Sequence, residues 1–186
     1  FQSDAEAAAY VNSKGERLQP NAYAGDVRFV DTNGDGSIDS SDKVYSGSGI
    51  PKVEANLSFS GAYKNFDLSF QFGSAWGHKL YNVNRLYYEG MDAGRNFFKT
   101  TLDAWTPQNT HTDMPRAVLN DLNQNTREST RFLENGNFVR LRQLQLGYSL
   151  SRTIAKKIYL EKCRLYVSGE NLFTITKYSG IDPEFS

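Results

Sequence analysis

Two long segments of alternating apolar and polar residues constrain this chain most. Most of the alternate side chains from Val53 to Tyr63 are apolar, and the same pattern repeats from Phe66 to Trp76 after the two-residue connection Lys64-Asn65. A period of two is typical of a β-strand whose two faces meet different surroundings, and a two-residue connection is typical of a hairpin. We therefore predict a β-hairpin with strands of about eleven residues.

The length of these strands distinguishes two classes of β-protein. A tilted strand of about eleven residues can cross a bilayer, whereas strands of soluble proteins most often have about five or six. Aromatic residues also lie at both ends of the hairpin, with Tyr63 and Phe66 at the turn and Trp76 and Tyr81 at the far end. A water-soluble β-sandwich alternates too, but length and aromatic girdles together favour an all-β, transmembrane antiparallel β-barrel.

Two later segments predict further strands, at residues 138–150 and 162–173. In the first segment the apolar phase changes after Leu141, which indicates a β-bulge. Arg140 and Arg142 share a phase with the later apolar residues of that segment, so at least one arginine must leave the apolar face.

The spacing of these strands gives an expected organisation. We expect residues 1–26 to be a lead-in and residues 27–186 to be a barrel segment. Residues 77–133 are too long for an ordinary connection, so we expect them and the acidic loop at 31–42 to be extracellular, with the tight Lys64-Asn65 turn periplasmic. Within the long loop, Asp92 is expected to cap a short helix that ends before Pro107.

The acidic segment at 31–42 has the ligand spacing of a twelve-residue calcium loop. Side-chain oxygens stand at positions one, three, five, nine and twelve, with glycine at position six. The predicted ligands are Asp31, Asn33, Asp35, Ser37 through its backbone carbonyl, Asp39 directly or through a water, and Asp42.

The flanks of the acidic loop do not fit a calcium sensor, because a sensor needs a helix on each side. Residues 25–30 alternate like a strand, and residues 43–51 contain two glycines and a proline. We therefore expect Ca²⁺ to have a structural role here. A metal-free tight turn is the alternative, because Asn, Asp and Gly suit turns.

Composition and spacing argue against several functions. Lys plus Arg and Asp plus Glu both number 21, so no net field attracts nucleic acid or anionic lipid. The chain contains no apolar run as long as a membrane-spanning helix, and its single cysteine, Cys163, cannot form an internal disulfide. No Ser-His-Asp or Cys-His arrangement is visible, so we do not expect an enzyme.

Contact with a polar ligand fits the long loop better than catalysis does. Aromatic rings stack on sugar faces, and amide and guanidinium groups hydrogen-bond hydroxyls. For any single residue, packing of the loops is the competing interpretation. The candidate substrate-binding residues are Tyr81, Tyr87, Tyr88, Trp105, Asn109 and Arg116.

Five segments together resemble a known family. They read GDVRFVDTNGDG at 25–36, YKNFDLS at 63–69, WTPQNTHTDMPR at 105–116, FVRLRQLQLGYSL at 138–150 and YVSGENLFTITKYSGIDPE at 166–184. In this order they resemble the C-terminal part of SusC/RagA-type TonB-linked (TonB-dependent) outer-membrane transporters. Any one segment is a weak signal, whereas five in order are specific.

The resemblance implies the C-terminal strands of a 22-stranded barrel that an N-terminal domain plugs, in the bacterial outer membrane. It also implies energised import of oligosaccharides or peptides, with a SusD-like surface lipoprotein as lid and TonB as inner-membrane driver. The family's plug and its last strand with a terminal aromatic are not in this sequence, so we expect a piece of a barrel with open strand edges.

Two other functions compete with import. A soluble, calcium-stabilised β-domain that binds carbohydrate also fits the acidic loop and the alternating strands. A calcium-dependent assembly module of cellulose-degrading complexes needs a duplicated loop followed by helices, and one copy without such helices argues against it.

Overall fold

A computed structural model describes residues 1–92 and 94–184 of the chain. It divides the chain into two compact units. The loop unit comprises Phe1–Ser46 and Asn82–Leu133, and the sheet unit comprises Gly47–Tyr81 and Glu134–Ser186. The assignment of 1–26 as a lead-in and of 77–133 as extracellular stays a prediction.

Strands dominate the sheet unit, and short helices and turns dominate the loop unit. None of the helices among the described residues has the length and apolarity needed to span a membrane. The strands are β1 (Val53–Tyr63), β2 (Phe66–Trp76), β3 (Lys79–Tyr81), β4 (Leu133–Asn135), β5 (Phe138–Ser149) and β6 (Arg164–Thr176). The helices are α1 (Asp4–Ala9), α2 (Val83–Tyr88) and α3 (Arg152–Lys157), with 3₁₀ turns at Ser40–Asp42, Lys99–Asp103 and Thr130–Phe132.

The four long strands form one antiparallel sheet in the order β1-β2-β5-β6. The predicted hairpin is confirmed, since β1 and β2 are each 11 residues long and pair from Tyr63 opposite Phe66 to Val53 opposite Trp76. Lys64 takes a left-handed conformation with φ 54° in the two-residue turn. The strands predicted at 138–150 and 162–173 are confirmed as β5 and β6, with shifted ends.

The sheet has one apolar and one polar face. Successive residues of a strand point to opposite sides, and residues paired across strands point to the same side. Along β1 and β6 nearly every residue is exposed, so neither edge strand is covered in this chain. The apolar face includes Leu57, Phe59, Leu68, Phe70, Phe72, Leu141, Leu144, Leu146, Val167, Phe173 and Ile175. The polar face includes Asn56, Ser58, Ser69, Gln71, Arg140, Gln143, Gln145, Ser168 and Glu170.

A bulge at Arg142 keeps these faces separate. Between β2 and β5, Gln71 pairs with Gln143 and Phe72 pairs with Leu141. Arg142 is therefore the extra residue of β5. An added Cβ on Gly73 of the polar face would overlap the Arg142 guanidinium. Both arginines of β5 therefore lie on the polar face, which confirms the predicted bulge and the predicted departure of at least one arginine from the apolar face.

Two local predictions are wrong. Residues 25–30 form no strand: side-chain amides hold their backbone, since Val27 N–H donates to Asn125 (2.8 Å) and Phe29 N–H donates to Gln19 (2.8 Å). In place of the helix expected after Asp92, the described residues form a 3₁₀ turn at Lys99–Asp103. Asp92 binds the side chain of Arg95 at 3.3 Å.

A buried carboxylate organises the loop unit. Asp26 is 2% exposed and receives a bidentate pair of hydrogen bonds from Arg116, at 2.8 and 3.0 Å. Asn125 Nδ2 and the backbone N–H of Tyr23 also donate to this carboxylate, each at 2.9 Å. The preceding Gly25 has φ +85° and lies so close to the Trp105 ring that no side chain fits there. Asp26 thus links parts of the chain that are about a hundred residues apart.

We expect Asp26→Ala in the full-length protein to destabilise the loop unit by roughly 3 kcal/mol, because Arg116 and Asn125 lose their buried partner. Hydrogen exchange should become faster around residues 23–27 and 116–125. Glu16→Ala removes an exposed carboxylate of the same unit and is the control. Equal protection in the two variants would contradict a central role for Asp26.

Candidate functional site

The first half of the acidic loop is shaped by side chains that accept hydrogen bonds from its own backbone. Asp31 accepts from the N–H groups of Gly34 (2.7 Å) and Gly36 (2.9 Å), and Asn33 accepts from that of Asp35 (2.9 Å). Gly34 and Gly36 have φ of 74° and 88°, a region that glycine enters without strain. The loop therefore turns twice within six residues.

The second half of the loop closes back on the first. The Asp42 carboxylate accepts from the N–H groups of Thr32 (2.7 Å) and Asp39 (2.8 Å), so positions two and twelve of the loop are joined. Asp39 in turn accepts from the N–H of Ser41 at 2.8 Å and caps the 3₁₀ turn there. The loop is thus held as a closed ring of hydrogen bonds.

These hydrogen bonds favour the ionised carboxylates. Bonds from the Ser41 hydroxyl and N–H lower the pKa of Asp39, and bonds from the N–H groups of Asp39 and Thr32 lower the pKa of Asp42. With lowered folded-state values, their stabilisation is complete above about pH 4 and is lost as pH falls through those values. The loop is therefore anionic at neutral pH.

The donor set of the loop suits a hard cation in kind, since Asp31, Asp35, Asp39 and Asp42 supply side-chain oxygens. Within residues 1–92 and 94–184, no three His, Cys, Asp or Glu side chains are gathered closely enough to hold a metal ion. The carboxylates of the four loop aspartates face the loop's own amides. Binding of Ca²⁺ would therefore require these carboxylates to move closer together. The calcium assignment, including Asn33 and Ser37, stays a prediction.

Three of the predicted substrate-binding residues in the loop unit contact other parts of that unit. In the loop unit, Arg116 is engaged with buried Asp26, and Asn109 Nδ2 donates to Asp103 Oδ1 at 2.9 Å. Trp105 packs against Gly25, and its indole donates to Gln2 at 3.2 Å. For these three residues the contacts are those of loop packing.

The three tyrosine candidates differ in exposure. Tyr87 and Tyr88 are 55% and 42% exposed on α2, which leaves ring surface available. The Tyr88 ring lies 5.0 Å from that of Phe98, and the Arg95 guanidinium lies 5.7 Å from the centre of the Tyr87 ring. Tyr81 belongs to β3 of the sheet unit and is half-buried. Ligand contact by these residues stays a prediction.

A polar cleft that sequence reasoning missed opens in the loop unit, with a volume of about 650 Å³. Inside it, Glu89 is 6% exposed and binds Arg85 at 2.9 Å and Thr100 at 3.1 Å. Burial lowers the pKa of Arg131, and the neighbouring charge of Arg85 lowers it further. The lining residues are Gln2, Arg85, Glu89, Thr100, Asp103, Thr110, His111, Thr112, Asp113, Met114 and Arg131, without a Phe, Tyr or Trp.

A second missed cluster lies on the polar face of the sheet. Arg140 is 6% exposed and contacts Asp182 at 2.5 Å and Glu184 at 2.8 Å, while Arg142 contacts Glu184 at 2.7 Å. Arg140 Nε also donates to Thr174 of β6 at 2.8 Å. Burial works against the charged form of Asp182, but the bonds from Arg140 and the Glu184 N–H are stronger in sum and lower its pKa.

This arginine cluster fixes the chain after β6 against the sheet. Two arginines in a strand without any other charged residue, and two acids that flank Pro183, are the sequence signals that could have predicted it. The pairing itself joins residues 42 positions apart and is not encoded in a local pattern.

We expect Arg140→Gln in the full-length protein to release residues 178–184, because Asp182 and Glu184 lose their shared buried partner. Hydrogen exchange should rise in that segment by roughly tenfold or more, and less in Arg142→Gln, since Arg142 contacts Glu184 alone. Equal protection in wild type and Arg140→Gln would show that the cluster does not hold the segment.

The chain is similar to several known receptors, although no protein-family model matches it. It is 35% identical to TonB-dependent receptor P3 of Formosa agariphila, over 90% of this chain and 16% of that receptor. It is 31% identical to TonB-dependent receptor SusC of Bacteroides thetaiotaomicron, over 84% of this chain and 15% of SusC.

Solved structures give the same result. The RagAB peptide importer in the closed-closed state matches with a TM-score of 0.66 and 31% identity, over 87% of this chain and 18% of that chain. The RagAB peptide transporter matches with the same TM-score and 30% identity. The chain spans less than a fifth of the length of these relatives, and it belongs to the SusC/RagA type of TonB-dependent receptors.

Proposed function

We propose that the sheet is part of the wall of a closed, 22-stranded barrel in the bacterial outer membrane. The observation that supports this most is the division of the four-stranded sheet into a continuous apolar face and a polar face. Lipid would cover the apolar face, and the polar face would line the interior. Further strands would pair with β1 and β6, whose edges are otherwise open to aggregation.

The whole receptor is proposed to import oligosaccharides or peptides, energised by TonB and working with a SusD-like surface lipoprotein. The names of the relatives, TonB-dependent receptors and a RagAB peptide importer, support transport over catalysis. In this scheme residues 77–133 lie outside the cell and supply ligand contacts. The exposed rings of Tyr87 and Tyr88 are the best placed of the predicted contacts.

The full-length receptor should fractionate with outer membranes, and uptake of labelled oligosaccharide or peptide should require both the receptor and TonB. Phe70→Lys places a charge at the middle of the apolar face and should cost about 2–4 kcal/mol, so folded barrel and uptake both fall. Gln71→Lys, one residue along on the polar face, is the matched control. Folded barrel is measured by its altered gel mobility without heating.

Two outcomes would contradict the proposal. Recovery of the full-length protein in the aqueous phase would favour the soluble carbohydrate-binding domain. Equal tolerance of lysine at positions 70 and 71 would show that the two faces do not meet lipid and water.

We further propose that the acidic loop binds one structural Ca²⁺. Asp31, Asn33, Asp35 and Asp42 would supply side-chain oxygens, Ser37 its carbonyl, and Asp39 a direct or water-mediated contact. The proposal is supported by four aspartate side chains in one exposed loop of twelve residues. The ion would offset their mutual repulsion and hold the loop in one shape.

Chelation should loosen residues 31–42 in the wild-type receptor and leave the strands of the sheet unchanged. In Asp31→Ala/Asp35→Ala, metal content should fall by one ion per chain, and chelator should have no further effect on hydrogen exchange of the loop. Glu54→Ala/Glu161→Ala removes two exposed carboxylates elsewhere and is the control. A loop with equal protection with and without chelator in the wild type would exclude the ion.

A further inference from the structure

The connection between β5 and β6 exposes apolar side chains that the sheet does not use. This connection, residues 151–162, is called the basic connector and contains α3. Ile154, Ile158 and Leu160 are 46%, 51% and 44% exposed, and Tyr159 is 98% exposed. Ala155 is the one member of α3 that is buried. An exposed group of this kind, beside polar neighbours, is typical of a surface that meets a partner.

The same connector carries a concentrated positive charge. Arg152, Lys156, Lys157 and Lys162 stand against a single carboxylate, that of Glu161. Among the residues that the structure describes, none of these four cations has a carboxylate within ion-pair distance. The next cation along the chain, Arg164, is by contrast paired with Asp67 of β2 at 2.5 Å.

Backbone contacts place the connector beside the hairpin turn at one end of the sheet. The Ser149 N–H donates to Asn65 O at 2.8 Å, and Asn65 Nδ2 donates back to Ser149 O at 2.8 Å. The Leu150 N–H donates to Cys163 O at 2.9 Å and closes the base of the connector. A further cation, Lys64, therefore lies at this end as well.

Aromatic rings of the apolar face mark the same end. The rings of Phe66 and Tyr148 lie 4.8 Å apart, and Tyr63 pairs with Phe66 across the turn. The Lys64 ammonium lies 5.3 Å from the centre of the Tyr63 ring. Aromatic side chains with adjacent lysines suit the boundary between acyl chains and headgroups, where rings lie at headgroup level and cations contact phosphates.

We propose that the basic connector and the Lys64-Asn65 turn form a binding site for anionic phospholipid headgroups. The lysines and arginine bind the headgroup phosphates, and Ile154, Ile158 and Tyr159 insert among the upper acyl carbons. Charge complementarity and continuity with the apolar face select lipid as the occupant. The inference rests on the proposed function in one respect, that the apolar face lies in a membrane.

The test uses the full-length receptor in lipid nanodiscs and native mass spectrometry. Discs of phosphatidylethanolamine with phosphatidylglycerol or cardiolipin are compared with discs of phosphatidylethanolamine alone. The wild type should retain anionic lipid after release from the disc, and retention should fall as salt rises. In Lys156→Gln/Lys157→Gln, affinity for anionic lipid should fall roughly fivefold for each lysine removed.

The control is Lys14→Gln/Lys177→Gln, which removes two exposed lysines outside the connector and should behave as the wild type. Ile158→Ser/Tyr159→Ser should weaken retention of both lipid classes, because acyl contact does not depend on headgroup charge. Retention in the Lys156/Lys157 variant equal to that of the wild type, or no effect of salt on the wild type, would overturn the inference. A receptor that never enters a disc would instead overturn the proposed function.

Discussion

The separation of the two sheet faces depends on one backbone irregularity, the bulge at Arg142. Without an extra residue there, strict alternation would put Arg140 on the same side as Leu144 and Leu146. The bulge turns both arginines to the polar face, where Gly73 leaves room for one guanidinium. A charge on the apolar face would lack any compensating partner. The apolar face is continuous because one residue of β5 is unpaired.

The two units are stabilised by different interactions. In the sheet unit, backbone ladders between long strands supply most of the hydrogen bonds. In the loop unit, side-chain carboxylates and amides satisfy the backbone, as Asp26, Gln19 and Asn125 do. A segment with few ladder hydrogen bonds can take many shapes, provided that its polar side chains are placed correctly. Binding loops on a rigid scaffold are often built in this way.

The local patterns of the sequence predicted the sheet well and the loops poorly. Alternation with a two-residue turn specifies β1 and β2 to the residue, because both signals are local. The strand expected at residues 25–30 did not form, since its N–H groups donate to Asn125, 98 positions away, and to Gln19, 10 positions away. The Asp26–Arg116 and Arg140–Asp182 pairs span 90 and 42 positions, and no periodicity encodes such contacts. The acidic segment could be predicted to be a loop because its polar side chains accept hydrogen bonds from N–H groups only a few positions away.

The arginine cluster has a consequence for anything that moves along the polar face. Arg140 and Arg142 carry two positive charges, and Asp182 and Glu184 return two negative charges within hydrogen-bonding distance. Seen from a few ångströms away, the four charges of this cluster cancel. A wall lined by unpaired arginines would retain acidic solutes, whereas a neutral wall releases them. In the proposed barrel, the segment after β6 would therefore leave this part of the interior wall without a net positive charge to hold an acidic solute.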